Sequence, residues 1–190
     1  MKKKITAGLS IFVMFFVLTG FFGPDGDKPE EQRQTIQKMR TETLADLYKY
    51  APHAKDDIRK SAGYAVFSNT GINLFVVSTA NGWGVARNNK TGKDIYMKMF
   101  SGGVGFGMGV KDFRGIFIFS TEETLTHFIE EGWQGGAQAD AAAKSEDKGA
   151  AIATAIDVAP GIRLYQLTES GIALQATVQG TKYWKDDELN

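Results

Sequence analysis

The chain contains no cysteine, only four prolines and two histidines in 190 residues, and no excess of charge, with 22 Lys+Arg against 22 Asp+Glu. Without cysteine there is no disulfide scaffold, no thiolate metal site, no thiol nucleophile and no lipid-modified N-terminal cysteine. Formal neutrality excludes a dedicated nucleic-acid binder, which is strongly basic. His53 and His127 lie far apart and lack a metal-ligating neighbour at helical spacing, so no metal site is expected. G-x-S-x-G, Walker A and S-x-x-K patterns are absent as well. The acidic pairs Glu122-Glu123 and Glu130-Glu131 are adjacent residues that point apart on a helix and cannot flank one substrate. No catalytic residue, metal or cofactor is expected, and the chain reads as a non-enzyme.

What is present is a folded body. A chain of this length with 43% hydrophobic residues can bury a sizeable core. Its charge is uneven: residues 82–114 hold six bases and two acids, and residues 115–190 hold five bases and twelve acids. Lys2, Lys3 and Lys4 precede an uncharged apolar run from Ile5 to Phe22, the pattern of an export signal. Eighteen residues at a rise of ~1.5 Å reach about 27 Å, close to the hydrocarbon thickness of a bilayer, so residues 1–23 read as a signal peptide or a membrane anchor. Bulky Phe21 and Phe22 disfavour cleavage, and Phe21 stands where a lipobox would need cysteine. The expected location is therefore export, periplasmic or anchored in the inner membrane. Residues 24–34 read as a polar linker and 35–190 as the domain.

Within that domain, Ile36, Met39, Thr43, Leu44, Leu47 and Tyr48 predict an amphipathic helix ending before Pro52, with its stripe toward the core. A short helix over Ala54 to Ala62, closed by Gly63 in a left-handed conformation, is expected next. Strands are predicted over Tyr64–Phe67, Asn73–Thr79, Trp83–Asn88, Asp94–Phe100 and Phe113–Phe119, with turns at Asn81-Gly82 and Asn89–Gly92. Ser120-Thr121-Glu122-Glu123 predicts a capping box opening a helix to Gly132. Ile162–Thr168 and Ile172–Val178 predict a hairpin, whereas Ala137 to Ala155 stays ambiguous. The fold class expected is α+β: a strongly curved, mostly antiparallel sheet or partial barrel with packed helices.

The stretch from Ser101 to Val110 has glycines at 103, 105, 107 and 109, a period of two that leaves one strand face bare. Sheet curvature or close approach of a ligand both fit, and G-x-G-x-x-G is missing. This strand is expected to be central. Arg87, Lys90, Lys93, Lys98, Lys111 and Arg114 flank it, either as a solvated rim or as a site for phosphorylated headgroups.

The order of features from Ile36 to Trp184 resembles the SYLF domain. The resemblance runs through Lys60–Phe67, Gly82–Arg87, the glycine strand Gly103–Gly109, Phe113–Ser120, Gly135–Ala141, Leu164–Thr168 and Gln179–Tyr183, and the tail Tyr183–Asn190 looks like a bacterial envelope branch. It implies phosphoinositide or anionic-lipid binding through the opening helix, here with Lys38 and Arg40, and through nearby basic residues. It also implies actin binding in some members, which an exported bacterial protein would not meet. The resulting expectation is a lipid-binding module at a membrane surface, with a structural or protein-interaction role in the envelope as the alternative.

Overall fold

The computed structural model describes residues 23–74, 77–104, 112–135, 155–168, 171–172 and 180–190. Among the described residues, three helices pack on one antiparallel sheet: α1 (Pro29–Tyr50), α2 (Ala54–Lys60) and α3 (Glu122–Glu130), with β1 (Gly63–Leu74), β2 (Val77–Asn88), β3 (Asp94–Val104), β4 (Asp112–Phe119), β5 (Trp133–Gln134), β6 (Ile156–Ala159), β7 (Ile162–Thr168), β8 (Gly171–Ile172) and β9 (Thr181–Lys185). The strand order is β5-β9-β3-β2-β1-β4-β7-β6, with β8 hung on β7, and the sheet curls into a half-barrel. The fold is α+β, as expected.

α1 begins inside the stretch expected to be a linker. Pro29 occupies the first helical turn, where its missing N–H costs nothing. The Glu31 carboxylate accepts from the Asp27 and Lys28 amides at 3.0 and 3.4 Å. Ile36, Met39, Thr43 and Leu47 are buried, with Leu44 and Tyr48 packed beside them, so the predicted stripe does face the core. Burying Ile36, Met39 and Leu47 contributes roughly 1.5–3 kcal/mol each. The helix stops at Ala51, held by Pro52 behind it.

Three local expectations are corrected. α2 ends at Lys60, and Gly63 is not its left-handed cap but the first residue of β1. Asn81-Gly82 is not a turn: β2 runs through it, with Asn69 opposite Gly82 and Phe67 opposite Gly84. Glycine is required there because a Cβ on Gly82 would lie 2.4 Å from the Ser68 carbonyl oxygen, and one on Gly84 2.2 Å from that of Val66. These two glycines of β2 let the sheet curl tightly. α3 is capped by Thr121, whose hydroxyl accepts from the Thr124 amide at 3.2 Å, one residue later than the capping box predicts.

The glycine strand is the outer half of β3, which extends to Val104; Gly105–Val110 lie outside the described residues, as do most of Ala137–Ala155 and 173–178 of the hairpin. β1 and β2, not β3, hold the middle of the sheet.

Alternation along the strands gives the sheet two hydrophobic faces. One carries Ala65, Phe67, Met97, Met99, Phe117, Phe119 and Leu164 under α3. Its centre is aromatic: Phe67 and Phe117 meet Tyr183 edge-on at 4.7 and 5.0 Å, and Phe119 lies 4.8 Å from Phe128. The other face carries Tyr64, Val66, Val85, Ile116, Ile118 and Tyr165 under α1 and α2. The sheet is thus covered by helices on both sides, and α1 lies across its strands.

Candidate functional site

The candidate surface is the end of the sheet where β2 turns into β3. Asn88 builds the turn: its Oδ1 accepts from the amides of Lys90 and Thr91 at 2.9 and 2.8 Å, and Thr91 Oγ1 accepts from the Lys93 amide at 3.2 Å. Gly92 takes the left-handed conformation, φ +71°, and donates to the Asn88 carbonyl at 2.8 Å. Asn89 ties the turn to the end of α2 by donating from its backbone to Ala62 O at 2.9 Å and from Nδ2 to Ile58 O at 2.7 Å. Asn88 Nδ2 reaches Glu122 on α3 at 2.8 Å. A turn fixed at so many points holds the backbone at Lys90 and Lys93 in place. Both are exposed, and neither has an ion pair among the described residues. Lys60, exposed at the end of α2, precedes Ser61, whose carbonyl accepts from Asn89 Nδ2 at 3.1 Å.

The remaining basic residues singled out by sequence are mostly committed to acids. Arg40 and Arg87 converge on Asp94, each with a 3.0 Å contact. Lys98 binds Asp186 and Glu188 at 3.0 and 3.1 Å. Burial pulls the Lys98 pKa down, but the hydrogen bonds and charges of those two acids outweigh it and leave the ammonium above its ordinary value. Arg114 reaches Asp46 on α1 at 3.7 Å, and Lys38 lies 4.0 Å from Glu42 in an exposed helical pair. Lys111 lies outside the described residues. Lys98 and Arg114 share one cross-strand row, through Trp83 and Ser68, three strand spacings or about 14 Å apart. Arg40, Arg87, Lys90 and Lys93 are therefore brought together at the head of β3, and Lys98, Arg114 and Lys38 are not.

A second polar cluster joins α2 to β7. The buried Tyr165 hydroxyl lies 3.1 Å from His53 Nε2 and 3.4 Å from Asp57, which in turn sits 3.5 Å from Arg163. Burial, followed by the Asp57 charge, pushes the Tyr165 phenol up to about 12. It remains protonated at neutral pH and serves as a hydrogen-bond donor. Among the described residues no group of three or more acids and histidines could hold a metal ion, and no helix is long and apolar enough to cross a membrane.

Sequence reasoning missed Lys60, Lys185 and Asp187 as members of this end of the molecule. The signal available was the charged run Lys185–Glu188 after the aromatic pair Tyr183-Trp184; its place beside β3 depends on strand order.

The chain is thus a helix-covered α+β half-barrel with a basic turn at one end. No family model matches it. It is 36% identical over 160 residues to Beta cell expansion factor A of Aeromonas veronii, a match covering 84% of this chain and 59% of that protein. The chain therefore spans somewhat under two thirds of the length of the curated relative it matches.

Proposed function

We propose that the protein is a non-enzymatic lipid-binding module of the bacterial envelope that contacts anionic, phosphorylated headgroups near a membrane. The observation that carries this reading is the rigid Asn88–Lys93 turn, which presents Lys90 and Lys93 exposed and without ion pairs among the described residues. With the turn backbone already fixed, only the lysine side chains lose freedom on meeting a phosphate. Each lysine near an anionic surface contributes about 1 kcal/mol, enough to matter when residues 1–23 supply a membrane anchor. Arg40 and Arg87 add a second layer of positive charge only partly neutralised by Asp94, since two guanidinium groups share one carboxylate.

The test is vesicle co-sedimentation of protein lacking residues 1–22. Phosphatidylglycerol vesicles should retain it better than phosphatidylcholine vesicles, and added salt should release it. Lys90→Glu with Lys93→Glu should cut partitioning by at least about 30-fold, the factor that two such contacts represent. Equal retention on both vesicles, or no effect of the double reversal, defeats the proposal.

One observation favours the alternative, a protein-interaction role in the envelope. Phe100 is 41% exposed on β3, in the row next to Trp83 and Trp184, on the face that α1 only partly covers. An exposed ring beside two half-buried tryptophans suits a protein partner.

A further inference from the structure

A cleft of about 530 Å³ opens between the head of β3 and the C-terminal tail, lined among others by Lys93, Asp94, Tyr96, Lys185, Asp187 and Asn190. It exists because the β3–β9 ladder ends at Met97 opposite Lys185. Beyond that point the tail makes a turn pinned by the buried Leu189 and returns to β3, where Tyr96 accepts from the Asp186 amide at 3.0 Å and donates to Asn190 Oδ1 at 3.0 Å. Tyr96 thus aims both its backbone groups at the tail. Asp94, two residues earlier on the same strand, aims its own N–H and C=O the same way, and among the described residues no strand is paired with it on that side.

The charges around the cleft sort into those already used and those left over. The Asp94 carboxylate is taken by Arg40 and Arg87, Asp186 and Glu188 by Lys98, and the Tyr96 hydroxyl by Gln37 at 3.0 Å. Lys93 has no ion pair among the described residues, and Lys185 has only a loose 3.7 Å contact with Glu130. Asp187, exposed, also has no ion pair among the described residues. Two lysines, an edge amide and one carboxylate without an ion pair among the described residues line the same space. A plain anion would leave Asp187 opposing it, whereas a ligand with a phosphate and an ammonium satisfies both signs. The cleft also lies beside the start of α1, because Arg33 donates to the Leu189 carbonyl at 3.1 Å.

We infer that this cleft binds a phosphorylated zwitterion of the phosphoethanolamine type, its phosphate on Lys93, Lys185 and the Asp94 amide and its ammonium on Asp187. The inference rests on the headgroup reading for the phosphate contact at Lys93 and adds to it a partner for an ammonium group. The chemistry is shared by a phospholipid headgroup and by the free ester, which the arms of the test separate.

The experiment uses the full chain in nonionic detergent micelles, titrated with phosphoethanolamine, inorganic phosphate or ethanolamine while the backbone amides are followed by nuclear magnetic resonance. Phosphoethanolamine should shift Asp94, Lys185 and Asp187 saturably and bind at least about tenfold tighter than either fragment. Asp187→Asn should abolish that preference while leaving the weaker phosphate binding, and Lys185→Gln should weaken both. The same amides shifting with phosphatidylethanolamine in bicelles supports the lipid as the source; shifts with the free ester alone support the cleft as a site for a soluble ligand. Absence of saturable shifts, or an unchanged preference in Asp187→Asn, overturns the inference. Because soluble phosphoethanolamine reads the cleft and anionic vesicles read Lys90 and Lys93, failure of one leaves the other result standing.

Discussion

Arg40, in the middle of α1, donates twice to the Asp94 carboxylate at the head of β3, at 3.0 and 3.1 Å across 54 residues of sequence. Arg87 completes the knot at 3.0 Å. This contact fixes α1 over the sheet and at the same time decides which cations of the basic stretch stay available.

Removing the shared acid should cost more than removing either base. Asp94→Ala leaves two partly buried guanidinium groups without a partner and should lower stability by about 2 kcal/mol, whereas Arg87→Ala should cost under about 1 kcal/mol. Urea midpoints of the two variants check the order, and equal losses would show that the knot is not organised by Asp94.

Gly84→Ala should be severely destabilising, by about 3 kcal/mol or more, because its Cβ would meet the Val66 carbonyl oxygen at 2.2 Å and the Phe67 ring at 2.5 Å. Gly92→Ala meets nothing closer than 3.5 Å and should cost only the ~1–2 kcal/mol of a left-handed non-glycine residue. Thermal melts of both variants compare the closely packed glycine of β2 with the open glycine of the turn that follows it.

Phe128→Ala empties the position on α3 that contacts Phe67, Phe117, Phe119 and Tyr183, and should cost about 3–5 kcal/mol. Trp133 stacks on the same ring at 6.3 Å, so its near-ultraviolet circular dichroism should fall with it. An unchanged signal would mean that Trp133 is held by other contacts.

Alkaline stability should depend on two tyrosines. Tyr165 has its pKa raised from 10.0 to about 12 by burial and then by Asp57, and Tyr183 is raised by burial alone. A group raised in the folded state contributes stability that is complete below its unfolded value and is lost as pH climbs through the folded one. Stability should therefore fall between about pH 10 and 12, and Tyr165→Phe should flatten that decline. Tyrosinate absorbance followed alongside unfolding gives the comparison, and an identical slope in the variant would remove Tyr165 from the account.

The sequence by itself determined the class of fold and much of its local structure. Period-3.6 and period-2 patterns in Ile36–Tyr48, Asp94–Phe100 and Phe113–Phe119 reflect which side chains must leave water, and that requirement is local. The turn at Asn89–Gly92 was legible for the same reason, since Gly92 takes the left-handed conformation and the Asn88 side chain accepts from amides two and three residues on. Only the tertiary structure decided that Asn81-Gly82 lies within a strand, because glycine serves a close neighbouring carbonyl as well as it serves a turn. Only the tertiary structure placed β9 beside β3, bringing Asp186 and Glu188 to Lys98 and Asp187 to the cleft near Lys93. A count of charge along the chain gives +4 for residues 82–114. Apart from the local Arg87–Asp94 pair, which of those cations are compensated depends on residues far apart in the chain, such as Lys98 and Glu188 at 90 positions, and Coulomb interactions fall off with distance in space, not with separation in sequence.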